Sequence, residues 1–301
     1  MKLVTLEGIS APVLTPFYEN GKVNTTEYTR LIEYIAGSGI KGIFVGGTSG
    51  EFVNLRIEER KSLLLAAKEG VRKETTLLFN VTSMNEQELF SLIEWAKKKG
   101  ADAVSVTAPY YHKYDEKALC QYFEKVANIA EGLPVYLYNM SGMTNNPITA
   151  KMLKEVSERC TNICGIKDSS MDFMTLLNYQ AVIEREDFEV ITGNDAQVLS
   201  ALFAGAAGGI IAIASVYPEL TLEIWNGYRN GDLEGARRAQ KTVLQIRELF
   251  RSIMPTITHK EALKLKGFDM GPARFPFRDL GEEEKLCLEK GLKKLGVFEK
   301  N

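Results

Sequence analysis

At 301 residues the chain is long enough for one large domain or two ordinary ones. Hydrophobic residues make up 45% and charged residues 25%, a balance that supports a sizeable core and argues against disorder. The 37 Lys plus Arg and 39 Asp plus Glu leave a formal charge of -2 with no long basic block, which argues against a nucleic-acid partner.

The opening stretch, MKLVTLEGISAPVLTPF, has neither the continuous apolar run of a signal peptide nor the roughly 20 residues of a membrane span. A cytoplasmic protein without a membrane partner is expected. Four cysteines are few for this length, and the close pair Cys160 and Cys164 has no matching His pair. Reduced structural thiols, including Cys120 and Cys287, are expected rather than a metal site.

In chain order, short apolar or β-branched runs alternate with longer stretches of helical period. The strands predicted are Ser10–Leu14, Gly42–Val45, Thr76–Val81, Ala103–Thr107, Val135–Asn139, Ile163–Lys167, Glu189–Thr192 and Gly209–Ile213. Between them, Asn24 or Thr25 starts a helix running to about Ser38, with Leu31, Ile32, Ile35 and Ala36 on one face. Asn85 starts another that ends before Gly100, with Leu89, Leu92, Ile93 and Ala96 facing inward and Lys97, Lys98 and Lys99 suited to its C-terminal dipole.

After the eighth strand the pattern becomes all-helical, through Pro218–Tyr228, Leu233–Phe250, Lys260–Lys266 and Glu282–Leu295, with a Pro-rich break from Pro272 to Pro276. Eight strand-helix units predict an α/β fold, a (β/α)₈ TIM barrel over residues 1–215, with residues 216–301 as C-terminal helices packed on it as one structural unit. The competing open doubly wound sheet expects a G-x-G-x-x-G turn after its first strand, and residues 10–21 contain none.

Barrel enzymes carry their chemistry where strands end and βα loops begin. The sixth strand ends in Lys167 after the apolar Ile163-Cys164-Gly165-Ile166. Burial disfavours an ammonium, and a neutral amine attacks a ketone to form an imine; the alternative is a lysine reaching the rim or pairing with Asp168. Tyr138 ends the fifth strand, where a phenol near an amine can relay protons, or else simply fill the core. Tyr136, two residues earlier, is assigned to the core. The Gly46-Gly47-Thr48-Ser49-Gly50 loop offers hydroxyls and N–H groups to a carboxylate, and lacks the spacing and Lys of a phosphate loop. His112 is placed near the site through the Tyr110-Tyr111 loop, and His259 in the tail.

Taken together, Ala11-Pro12-Val13-Leu14-Thr15-Pro16-Phe17, Gly47-Thr48-Ser49-Gly50-Glu51, Pro109-Tyr110-Tyr111, Tyr138-Asn139, Gly165-Ile166-Lys167-Asp168 and Gly193-Asn194-Asp195 resemble, over essentially the whole chain, the dihydrodipicolinate synthase and N-acetylneuraminate lyase superfamily of pyruvate-dependent class I aldolases. The resemblance implies a carbon-carbon lyase using a Schiff base on Lys167 and no separate cofactor. It implies proton transfer by Tyr138, a carboxylate held by Thr48 and Ser49 beside Gly47, and a substrate-facing carbonyl at Ile210. It also implies that Tyr111 completes a neighbouring subunit's site, hence a homo-oligomer, a tetramer built as a dimer of dimers.

Two departures bear on the second substrate. Dihydrodipicolinate synthases continue Val-Pro-x-Arg after the Tyr-Asn pair, whereas here Met140-Ser141-Gly142-Met143-Thr144 follows and Met143 replaces the carboxylate-binding Arg. Sialic acid lyases resemble Gly-x-Asp-Glu where this chain has Gly193-Asn194-Asp195-Ala196. With Ser169, Thr144 and Asp195 available to hydroxyls, the resemblance implies reversible cleavage of a 2-oxo-3-deoxy sugar acid to pyruvate and an aldehyde. The alternatives are dihydrodipicolinate (4-hydroxy-tetrahydrodipicolinate) synthase, N-acetylneuraminate lyase, a 2-oxo acid dehydratase, or a non-catalytic 2-oxo acid sensor. Without an Arg at 143, neutral glyceraldehyde is expected to be a better acceptor than aspartate semialdehyde, unless Arg72, Arg251 or a lysine reaches the site.

Overall fold

A computed structural model describes residues 5–298; the first four residues of the opening stretch and the last three of the tail lie outside the described residues. Eight parallel strands form a closed barrel in sequence order: β1 (Gly8–Pro12), β2 (Gly42–Val45), β3 (Thr76–Asn80), β4 (Ala103–Thr107), β5 (Val135–Asn139), β6 (Ile163–Asp168), β7 (Glu189–Thr192) and β8 (Gly208–Ile210). β1 pairs with both β2 and β8, which closes the ring and leaves no edge strand.

Both faces of these strands are buried, which is why they read as nearly unbroken apolar runs. Phe44, Leu78, Ala103, Tyr136, Tyr138, Ile191 and Ile210 fill the barrel interior with Leu6. A second, larger core lies between the sheet and its helices. Tyr136 is buried in the barrel interior, a core residue as expected, and its hydroxyl donates to Glu189 Oε2 at 2.6 Å.

The helices that cover the barrel are α1 (Thr25–Gly37), α2 (Ile57–Gly70), α3 (Glu86–Lys99), α4 (Glu116–Ile129), the one-turn α5 (Ser141–Thr144), α6 (Ala150–Arg159), α7 (Phe173–Val182) and α8 (Val198–Phe203). Asn24 caps α1 by accepting from the Glu27 N–H, and Asn85 caps α3 by accepting from Gln87 and Glu88. Both helices bury the apolar faces expected of them.

The first and last strands differ from the sequence reading. β1 begins two residues earlier and ends at Pro12, because Pro12 has no N–H and the next residues leave the sheet, although Val13 N–H still donates to Phe44 O. β8 also starts earlier and stops at Ile210. The apolar run continues as a 3₁₀ turn, Ala212–Ser215, whose Ile213 N–H is taken by Asp195 Oδ1 rather than by a strand. Hydrophobicity alone does not separate these states.

Beyond β8 come α9 (Pro218–Asn230), α10 (Leu233–Ile253), α11 (Pro255–Leu265) and α12 (Glu282–Lys294). α11 starts five residues before the expected Lys260, with Pro255 supplying a first-turn residue that needs no N–H. α10 is fastened to the turn after β7: Gln240 Nε2 donates to Asp195 O at 2.8 Å, and its Oε1 accepts from Leu199 N–H at 2.9 Å. No helix among the described residues is long and apolar enough to cross a membrane.

Candidate active site

Lys167 is the penultimate residue of β6, in register between Tyr138 of β5 and Ile191 of β7, so its side chain enters the barrel. It is 4% exposed, and its Nζ lies 4.2 Å from the Tyr138 ring centroid and 5.0 Å from that of Phe44. Aromatic faces attract a cation, so these rings position the amine. Asp168 does not pair with it. That carboxylate accepts from Asn139 Nδ2 at 2.7 Å and from Ser170 Oγ at 2.9 Å, and burial raises its pKa above the usual carboxylate range. Among the described residues Lys167 has no carboxylate partner, which disfavours the reading of a structural ion pair.

Space for the lysine depends on a glycine. A Cβ at Gly193 would stand 2.7 Å from Lys167 Cε and closer still to Ser169 Oγ, so any side chain there would displace both. The Tyr138 hydroxyl is 3.2 Å from Thr48 Oγ1, which links the end of β5 to the loop after β2. Tyr138 also meets Phe44 edge-on, with centroids 6.0 Å apart.

The Thr48-Ser49 loop closes on Glu51, which adopts a left-handed conformation (φ 61°) unusual for a residue with a side chain. Its buried carboxylate meets Lys260 Nζ of α11, itself 4.3 Å from the Phe17 ring centroid. Burial raises the pKa of Glu51 and lowers that of Lys260, while each partner's charge opposes the shift of the other. The tail therefore pins the loop from behind.

A cavity of about 370 Å³ opens over these groups. Lys167, Tyr138, Thr48, Ser49, Ile210, Ser169, Asp195 and Met143 all line it, eight of the eleven residues singled out from sequence. Three do not. Gly47 is buried behind the loop, against the Phe44 ring. Thr144 is buried in the turn after β5, where its hydroxyl donates to Asn146 O at 3.2 Å, and it borders an adjoining cavity of about 240 Å³ with Thr48, Tyr110 and Met143. Tyr111 stands 85% exposed at φ 77°, away from its own chain's cavity, with His112 against its ring.

Sequence reasoning missed the wall made by the tail. His259, assigned to the tail alone, lines the cavity from α11 with its ring against Phe250. Its Nδ1 is 2.5 Å from Pro255 O, its Nε2 has no partner among the described residues, and burial lowers its pKa. Arg251 of α10, one of the cations allowed for from the sequence, also lines the cavity, and so does Arg247, which was not foreseen. Met143 therefore does not leave the site without a cation, and the expected preference for an uncharged acceptor loses its basis. Arg72 lies elsewhere, facing Gly37 at the end of α1.

Residues 5–295 match the model of the Dihydrodipicolinate synthetase family. An uncharacterized DapA-like lyase of Pyrococcus horikoshii is 34% identical over 92% of this chain and 96% of its own length. A 4-hydroxy-tetrahydrodipicolinate synthase of Acetivibrio thermocellus is 32% identical over 99% of this chain and all of its own. Among solved structures, YagE, a prophage protein of the dihydrodipicolinic acid synthase family from E. coli K12 in complex with pyruvate, superposes with a TM-score of 0.93 at 30% identity, covering 98% of this chain and 100% of that one.

Proposed function

Since the chain belongs to the dihydrodipicolinate synthetase family, we propose that it is a Schiff-base lyase that takes pyruvate on Lys167 and reversibly joins it to an aldehyde. The observation that carries this reading is a buried lysine with no carboxylate partner, set against a tyrosine whose hydroxyl meets Thr48. The Lys167 amine attacks the ketone carbon, the carbinolamine loses water, and the resulting imine loses a C3 proton to become an enamine. The enamine adds to the aldehyde carbon, and water then releases the 2-oxo acid; cleavage runs the same steps backwards. Tyr138 moves the protons, Thr48 and Ser49 hold the pyruvate carboxylate, and the Ile210 carbonyl faces the substrate. The amine does the covalent work, so no separate cofactor is required.

For the second substrate we favour the aldehyde half of a 2-oxo-3-deoxy sugar acid, because Ser169 and Asp195 line the same cavity and can bond its hydroxyls. Condensation with aspartate semialdehyde, as the name of the Acetivibrio relative suggests, is the second reading, and Arg247 and Arg251 favour it by offering a charge to that carboxylate.

Pyruvate plus borohydride is expected to add a reduced adduct to Lys167, since an imine is reducible and a hydrogen-bonded complex is not. Peptide mass analysis locates it. Protein that turns over substrate yet shows no mass increase at Lys167 rules the imine out.

The exposed Tyr111 and the small cavity beside Thr48 support a homo-oligomer, a dimer of dimers, in which two subunits exchange these tyrosines. Inactive Lys167→Ala and inactive Tyr111→Phe subunits, mixed and reassociated, are expected to regain part of the activity, because one site in each hybrid pair receives intact copies of both residues. A fully active monomer in sedimentation would end this reading.

A further inference from the structure

Arg247 and Arg251 lie four residues apart on α10, hence on one face of the helix, and both line the cavity that holds Lys167. Two like charges at that spacing repel, so the helix carries them at a cost that ordinary packing does not explain. Among the described residues only one carboxylate pairs with either, and it does not line the cavity. Arg247 pairs with Glu248, the next residue on the helix, which is 61% exposed, and Arg251 has no carboxylate partner among the described residues. Among the described residues Asp195 is the single acid that lines the cavity, and its Oδ1 already accepts the Ile213 N–H.

Arg247 is also held in place: its side chain is 12% exposed and one guanidinium nitrogen lies 3.8 Å from Met171 Sδ. α10 is tied to the turn after β7, so the two arginines belong to a different part of the wall from Thr48 and Ser49, which follow β2. A planar guanidinium fork matches the oxygens of a carboxylate or phosphate, and two forks on one helical face match a terminal anionic group.

We propose that Arg247 and Arg251 form an anion subsite, and that the natural acceptor aldehyde carries an anionic group, a phosphate ester or a carboxylate, on the end remote from its carbonyl. This rests on the reading of Lys167 as the imine-forming residue and names the chemistry of its second substrate. The arginines select the acceptor, while the groups at the strand ends carry the reaction.

The test pairs each charged acceptor with a neutral counterpart, in condensation with pyruvate: glyceraldehyde 3-phosphate against glyceraldehyde, and succinic semialdehyde against butanal. The wild-type protein is expected to prefer the charged member of at least one pair by about tenfold or more in kcat/KM, the scale of a charge-assisted contact. Preference in the first pair alone identifies a phosphate, and in the second alone a carboxylate. Arg251→Gln, at an exposed position where folding is not at stake, and Arg247→Gln are each expected to shrink that ratio severalfold. If neither charged aldehyde is preferred, or if the Arg247→Gln/Arg251→Gln double variant keeps the full preference, the subsite is refuted. Arginines that instead held pyruvate's own carboxylate would lower both members of a pair equally and leave the ratio unchanged, which also refutes it. Borohydride trapping of pyruvate separates the two levels: trapping without any charge preference rejects the subsite alone, whereas loss of trapping in the active wild-type protein rejects the imine on which it rests.

Discussion

Tyr138→Phe is expected to leave a folded protein whose kcat falls by about 10²–10⁴, the usual scale for a positioned acid-base group. The change removes one oxygen and little else. The phenyl ring keeps its place against Lys167 Nζ and Phe44, so the lysine remains positioned and the interior of the barrel stays filled. What is lost is the hydroxyl that meets Thr48 Oγ1 at 3.2 Å. Thr48 is half-buried and can turn to water, so little loss of stability accompanies the loss of rate. Pyruvate release followed with a lactate dehydrogenase-coupled assay measures kcat, and circular dichroism checks the fold. Near-normal turnover would return Tyr138 to a packing role.

The largest stability change is expected at Lys260. Lys260→Met leaves the buried Glu51 carboxylate without its partner, and breaking one half of a buried pair costs about 3–5 kcal/mol. Urea unfolding at pH 7 measures this, and the Glu51→Gln/Lys260→Met double variant should recover much of it because no charge is then stranded. The sign with pH follows from Glu51. Burial already raises its folded pKa above the unfolded value, and removing the lysine removes the main opposing influence. A carboxyl with a raised folded pKa binds more protons folded than unfolded, so stability falls as pH rises between the two values. The deficit of Lys260→Met should therefore shrink as pH falls from 7 towards the ordinary carboxyl range near about 4.3. A deficit under 1 kcal/mol at pH 7, or one that grows on acidification, would show that Glu51 finds other compensation.

The strands were legible because both faces of a barrel strand are buried, which leaves short apolar runs between helical periods. The strand-end residues were legible for a related reason: a lysine or a polar hydroxyl closing an apolar run conflicts with its surroundings, and such conflicts mark working sites. Arg247, Arg251 and His259 carried no such conflict. On an amphipathic helix a cation is an ordinary residue, and periodicity reports which side packs inward but not which end of the barrel it covers. Their placement follows from contacts far apart in sequence, such as Gln240 with Asp195 and Lys260 with Glu51. Thr144 shows the reverse. A hydroxyl near a strand end looked available, but the local turn consumed it.

The Glu51–Lys260 pair also bears on how the protein is made. A chain leaves the ribosome from its N-terminus at about 5–20 residues per second, so the roughly 200 residues between the two partners take on the order of 10–40 s to emerge. All eight strands precede Lys260 in the sequence, and the sheet is able to close while the acid behind the Thr48-Ser49 loop still lacks its partner. Only when α11 docks does that carboxylate meet Lys260. A nascent chain, or one clipped ahead of Lys260, therefore lacks the cation that faces the Glu51 carboxylate behind that loop.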